Sequence, residues 1–342
     1  MRRAVVLVGR PVVAALLLVM AVLLVEFMGC SAPTSLDPDT PPGPGGTCGT
    51  PLTVFNPLSG GLVRVGTDTT LDMATWNLEF FPLDLPGDYD CPHPVDVTRE
   101  QAAATIINAL GLDIIAIEEI SDTTGFQAMV ALCPGYGGVP SPEVPSSRLS
   151  CNYQRPGFIY RKDQVQVRRV LLPFASGRTF TREPLQADLT VTSNGRSYDL
   201  SIIVVHLKAG GTADDLQTRR EESAALHSYL DAQAAADSTV NYMVMGDWND
   251  QIEDAIDFSS FPDFISNPDD YQFLDTPLVS LPGYASYISS SGTVIDHLLI
   301  NRAACPDFAG GRVTTLRLDS VVGSYNNLSD HRPVMVQAPV FR

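Results

Sequence analysis

Short apolar runs recur along most of the chain, and many of them stop at a polar tip. LDMATWN (71–77) is mostly apolar and closes on Asn77, and DIIAIEEI (113–120) is apolar up to an acidic end; both read as buried strands. Between them Thr98 opens TREQ, a capping-box pattern with Gln101 at the third helical position, and the helix QAAATIINAL stops at Gly111. Further strands are expected at 157–161, 166–172, 184–191, 198–207, 241–247, 293–300 and 332–337. Residues 213–233 keep apolar positions at helical spacing with charges elsewhere, which predicts an amphipathic helix. Strands outnumber helices, so the pattern excludes a doubly wound parallel sheet and predicts an α/β (α+β) fold of two mixed sheets packed together with helices outside.

The polar tips carry the chemistry. Asn77, Glu119, His206 and the pair Asp247 and Asn249 in GDWND end four separate strand candidates, IDHLL adds Asp296, and LSDHRPV adds Asp330 and His331. Any one of these has an ordinary explanation: GDWND alone reads as a polar turn and IDHLLI as a core strand with a satisfied histidine. Together they bring carboxylates, amides and imidazoles to loops at one end of a sheet, where such loops meet in one cleft. Oxygen donors of this kind suit Mg²⁺ or Ca²⁺ rather than zinc. Glu118, one residue before Glu119, should face the opposite side and is most simply a surface or structural charge, and His297 beside Asp296 should likewise be structural. His93 and His227 have no partner motif.

Composition sets the surroundings. At 342 residues and 44% hydrophobic side chains, the chain is not short of core. Its formal charge is -17; without residues 1–29 it has 19 basic against 38 acidic residues, or -19. That excludes broad electrostatic adhesion to nucleic acid or anionic lipid and leaves room only for a local basic cleft. Residues 1–29 combine a basic start with an apolar stretch from Val12 to Val25 and read as an export signal. Gly29 before Cys30 resembles a lipoprotein cleavage site that would make Cys30 the lipidated first residue. Glu26, Phe27 and Met28 depart from that pattern, so a retained membrane anchor and plain secretion stay open. Residues 30–51 form a Pro/Gly-rich tether and 52–342 a single catalytic domain. In an oxidising compartment disulfides are permitted. Cys133 and Cys151 bracket a Pro/Ser/Gly loop and are the expected pair; the partners of Cys48, Cys91 and Cys305 stay open.

ATWNLEFF, IAIEEI, VVHLKAG, GDWND, IDHLLI and LSDHRPV resemble, in order and spacing, the motifs of the endonuclease/exonuclease/phosphatase superfamily, which includes deoxyribonuclease I, abasic-site endonucleases, sphingomyelinases and inositol polyphosphate phosphatases. The resemblance covers about residues 70 to 338 and implies a four-layered sandwich, two mixed β-sheets face to face with helices on the outside. It implies that Glu119 is the main metal ligand with Asn77 beside it and Asp330 as a further ligand. His206 and His331 would act on the phosphate, Asp296 would orient His331, Asp247 would orient or deprotonate the attacking water, and Asn249 would hold Asp247 or a phosphate oxygen. Whether Asp247 or His331 is the base stays open. Gln154 stands where deoxyribonuclease-like members have a glutamate supporting the first histidine, and Arg182 and Lys208 are candidate substrate contacts. The implied cofactor is Mg²⁺, with Ca²⁺ or Mn²⁺ as alternatives. The expected protein is an exported, metal-dependent phosphodiester hydrolase, an endonuclease on DNA or RNA. It would be monomeric, tied to the membrane by its N-terminal lipid and without an obligate protein partner. A phosphatase or sphingomyelinase/phospholipase-type hydrolase and a non-catalytic surface module are the competing readings.

Overall fold

Alternation along the strands sorts the apolar residues into two faces, and the two faces build separate cores. The computed structural model describes residues 48–82, 97–142, 153–175, 177–288 and 292–342; residues 1–29, expected to be an export signal, and Cys30, Cys91, His93 and Cys151 lie outside them. Among the described residues, one seven-stranded sheet runs β1 (Thr53–Val54), β12 (Arg312–Thr315), β13 (Val334–Ala338), β2 (Leu71–Phe81), β3 (Ile114–Ile120), β5 (Arg155–Arg161), β4 (Tyr136–Pro140). A six-stranded sheet runs β10 (Tyr271–Phe273), β11 (Asp296–Asn301), β9 (Tyr242–Asp247), β8 (Arg196–His206), β7 (Leu185–Ser193), β6 (Val165–Leu171). Both are mixed: β2 with β3 and β8 with β9 are parallel, and most other pairs are antiparallel.

Met73, Ile114, Ala116 and Phe158 from the first sheet meet Ile202, Val204, Met243, Met245, Leu298 and Ile300 from the second in one buried cluster. The alternate residues face outward under helices. Trp76, Ile115 and Ile117 pack with Ile106 and Ile107 of α1 (Val97–Leu110) and Phe126 and Met129 of α2 (Thr123–Ala131). Ile203, Val205, Val244 and Leu299 pack with Leu226 and Leu230 of α3 (Ala213–Ala236) and Phe264 of α4 (Pro262–Ser266). The result is the four-layered sandwich with two mixed sheets inside. Each fully buried aliphatic side chain contributes roughly 1.5–3 kcal/mol, so polar residues are tolerated on these inner faces only where the rows end.

Several expectations change. α1 begins at Val97, ahead of Thr98, but ends as expected at Gly111, whose φ of 64° closes it. α3 is capped by Thr212, whose Oγ1 accepts from Asp215 N and whose backbone N donates to Asp215 Oδ2, and runs past 233 to Ala236. Of the expected Cys133–Cys151 pair, Cys151 lies outside the described residues; Cys133 is a buried thiol under α1, near Asn108 Nδ2 (3.6 Å), and burial pushes its pKa up to about 11. Within the segment after it, Tyr136–Pro140 form the strand β4, held to β5 from Tyr136 opposite Arg161 to Pro140 opposite Gly157. Among the described residues a disulfide joins Cys48 to Cys305, 257 residues apart. Cys48, expected within the tether, is thus fastened to the body, where Gly49 N donates to Gln272 Oε1 (3.2 Å). Among the described residues no helix is long and apolar enough to cross a membrane.

Candidate active site

One further step along each inner-face row reaches a polar residue. On β8, Ile202 and Val204 lead to His206; on β9, Met243 and Met245 lead to Asp247; on β11, Ile300 and Leu298 lead back to Asp296. In register, Asp247 lies between His206 and Asp296. From the other sheet, Met73 and Thr75 lead to Asn77, and Ile114 and Ala116 to Glu118. Gly246 permits the close approach just before Asp247: its φ is 152°, and a Cβ there would sit 1.9 Å from the Val205 carbonyl oxygen.

The neighbouring strands β2 and β3 both break register at this level, between Asn77 and Phe81 and between Ile117 and Ile120. Glu79 (φ 42°), Phe80 (φ 50°) and Glu119 (φ 62°) adopt the left-handed region that side-chain-bearing residues rarely enter. Strict alternation would send Glu119 to the outer face; the bulge turns its carboxylate into the cluster instead. Its Oε1 accepts from Asn77 Nδ2 (3.1 Å) and its Oε2 from Phe80 N (2.8 Å). Glu118 is not a surface charge: it is fully buried on the inner face, accepts from Thr75 Oγ1 (2.8 Å), and burial, then Asp296, raise its pKa well above the usual range.

Asp247 is the hub. Its Oδ2 accepts from Asn77 Nδ2 (3.0 Å), which ties the two sheets together, and lies 3.6 Å from His206 Nε2 and 3.9 Å from His331 Nε2. Its Oδ1 accepts from the backbone N of Asn249 (2.8 Å), while the Asn249 side chain donates to the Leu207 carbonyl (3.1 Å). Burial, with Asp296 beside it, lifts the Asp247 carboxyl to about 7. His331 pairs through Nδ1 with Asp296 Oδ2 (2.8 Å). Burial works against charge on this ring, yet Asp296, Asp247 and Asp330 raise it well above the usual imidazole value. His206 is the opposite case: burial, then Arg182 and His331, hold it well below that value, so the ring is neutral. The two imidazoles therefore offer different protonation states around one carboxylate. Donor atoms of Asp247, Asp296 and His331 lie within 4.8 Å of one another, but the Nδ1–Asp296 bond makes this an oriented acid–imidazole pair rather than an open chelate.

A second, purely oxygen-bearing pole lies beside it. Asp330 Oδ1 is 3.8 Å from His331 Nε2, and the Glu79 carboxyl is lifted to about 7 by burial, then by Asp330, with Glu119 adding to it. Glu79 escaped the sequence reading, although it shares alternation phase with Asn77; its backbone N donates to Asn77 Oδ1 (2.8 Å). Asn77, Glu79, Glu119 and Asp330 bring hard oxygen donors to this side of the cluster, a donor chemistry that fits Mg²⁺, Ca²⁺ or Mn²⁺.

Two assignments move. Gln154 does not support His206: its Oε1 accepts from Arg182 Nε (2.9 Å), and His206 Nδ1 has no hydrogen-bond partner among the described residues. The guanidinium of Arg182, also bonded to the Leu207 carbonyl (3.0 Å), outcompetes the neutral ring for the amide oxygen. Arg182 stays near the cluster and feels Glu119 and Asp247. Lys208 turns to Asp215 (2.7 Å) at the start of α3, so its ammonium serves the helix cap. His297 is structural as expected: buried on the outer face, it pairs with Asp275 (2.7 Å) and bonds the Asp250 carbonyl (2.8 Å), pinning the turn after GDWND.

Facing sheets whose inner rows end in a shared cluster of carboxylates, an amide and two imidazoles make a site with the groups for acid–base chemistry. Residues 74–331 match the profile of the Endonuclease/Exonuclease/phosphatase family, and the chain belongs to it. No curated protein matches the chain. Among solved structures it is similar in fold to the catalytic domain of human Nocturnin, with 15% identity and a TM-score of 0.54 over 79% of this chain and 94% of that one. Truncated Caenorhabditis elegans TDP2 has 14% identity and a TM-score of 0.54 over 79% and 97%. A Bacteroides thetaiotaomicron mannosyl-6-phosphatase has 14% identity and a TM-score of 0.54 over 78% and 99%.

Proposed function

We propose that the protein is a divalent-metal-dependent phosphodiester hydrolase acting outside the cytoplasm, with DNA or RNA as substrate and internal cleavage as the reaction. The observation that carries this reading is the Asp247 hub, whose Oδ2 has Asn77, His206 and His331 within 3.9 Å. Asn77, Glu79, Glu119 and Asp330 would hold Mg²⁺, with Ca²⁺ or Mn²⁺ as alternatives. When bound, the ion neutralises phosphate charge and polarises the P–O bonds.

Asp247, held by Asn77 and the Asn249 amide, orients a water and takes its proton as the oxygen attacks phosphorus. His331, whose Nδ1 is given to Asp296, has only Nε2 to offer, and this donates to a phosphate oxygen as charge builds there. His206 Nε2 donates from the other side. The bond to the leaving oxygen breaks, that oxygen takes a proton from solvent water, and Asp247 returns to solvent the proton it accepted. Nucleic acid is favoured over smaller esters by Arg182, a guanidinium held by Gln154 and Leu207 near the cluster in an otherwise acidic protein. The Cys48–Cys305 disulfide supports export, directed by residues 1–29.

The test is incubation of the purified full chain with plasmid DNA, RNA, sphingomyelin and a phosphomonoester, each with Mg²⁺, Ca²⁺ or EDTA. Strand scission abolished by EDTA is expected. Headgroup or phosphate release without scission moves the substrate to the lipid or phosphatase class, and EDTA-resistant turnover refutes the metal dependence.

A further inference from the structure

The oxygen-bearing pole draws its ligands from segments that are not neighbours in sequence: the β2 bulge with Asn77 and Glu79, the end of β3 with Glu119, and the turn before β13 with Asp330. A bulge also leaves carbonyls without their ladder partners, and a buried carbonyl needs a donor. One side chain meets both needs. Arg99, near the start of α1 and 4% exposed, places Nη2 at 2.9 Å from the Leu78 carbonyl, 2.8 Å from the Glu79 carbonyl and 2.7 Å from the Leu328 carbonyl. The first two lie in the bulge and the third just before Asp330. Ser329 makes a second tie across the same seam, donating to the Asn77 carbonyl (2.7 Å) and accepting from His331 N (2.8 Å).

We infer that Arg99 is a positioning residue for the divalent cation: it clamps the β2 bulge to the 328–331 turn and so sets the spacing between the Asn77/Glu79 and Asp330 halves of the ligand set. This rests on the metal-dependent reading above. Arg99 reaches the site through backbone carbonyls, so its removal loosens the ligand spacing without deleting a ligand. Residues that orient metal ligands typically cost 10- to 100-fold in affinity when lost.

The experiment is Mn²⁺ binding alone, followed by the electron paramagnetic resonance signal of the free ion, on full-length wild type, Arg99→Met, Arg99→Lys, Ser329→Ala and Glu119→Gln. Activity is then titrated against Mn²⁺ for each. Expected is a tight wild-type site abolished in Glu119→Gln, with the Arg99→Met dissociation constant about 10- to 100-fold weaker and kcat at saturating Mn²⁺ within about threefold of wild type. Arg99→Lys, which keeps the charge and a donor, should recover part of the affinity. If Arg99→Met does not fold, Arg99→Lys and Ser329→Ala decide the question, both being expected to weaken Mn²⁺ binding. Unchanged affinity in the folded variants, or a kcat loss that added Mn²⁺ does not restore, overturns the inference while leaving the metal-dependent reading standing. A wild type without a tight Mn²⁺ site overturns both.

Discussion

Replacing Asp296 by asparagine separates the charge of the His331 pair from its shape. An asparagine carbonyl can still accept the ring N–H now held at 2.8 Å, and its amide nitrogen would take the place of Oδ1, which has no hydrogen-bond partner among the described residues. What disappears is a negative charge beside a buried imidazole. Two unit charges about 4 Å apart attract by about 4 kcal/mol at an effective dielectric of 20, but part of that offsets the desolvation of both groups. Hydrogen bonds to charged groups measure roughly 1.5–3 kcal/mol net, which corresponds to a loss of about 10- to 150-fold in kcat/KM. Folding should move the other way, because Asp296 is one of the charges that raise Glu118 and Asp247. Asp296→Asn should therefore keep or raise the melting temperature while activity falls. Steady-state kinetics at saturating Mg²⁺, on whichever ester is cleaved, together with calorimetry provide the check. A kcat/KM within about twofold of wild type would refute the role given to the Asp296 charge. So would an activity loss that merely follows a drop in melting temperature.

Other consequences follow from the same geometry. Asp113 and Asp72, a buried pair at the far end of β2 and β3, are lifted to about 7 and about 6 by burial from an ordinary 3.8. The folded state then holds more protons than the unfolded one above pH 4, so stability falls as pH rises toward 7 and levels off beyond it. The slope is up to about 1.4 kcal/mol per pH unit per group, and urea midpoints at pH 5 and 8 should converge in Asp113→Asn. Cutting the 257-residue loop in a Cys48→Ser/Cys305→Ser protein removes up to about 5.5 kcal/mol by the chain-entropy expression; an unchanged urea midpoint would contradict it. Gly246→Ala meets the Val205 carbonyl at 1.9 Å and should cost more than about 3 kcal/mol or prevent folding, read as lost soluble yield or melting temperature.

The sequence by itself determined the strands that matter and the residues at their tips. The alternation ending at Asn77, His206, Asp247 and Asp296 is a local pattern, and local patterns survive folding because the core must bury every second side chain. It also marked Glu119, although the reason it reaches the site is a left-handed bulge that alternation cannot foresee; read strictly, that alternation leaves Glu118, not Glu119, on the inner face. Tertiary structure alone decided the partners: Cys48 with Cys305, Gln154 with Arg182, Lys208 with Asp215, and Arg99 with three carbonyls. Those choices depend on which atoms lie within about 3 Å after the sheets close, a competition among groups far apart in the chain that no periodicity records. Glu79 lies between the two cases, in phase with Asn77 yet recognisable only once Asp330 and Glu119 stand beside it.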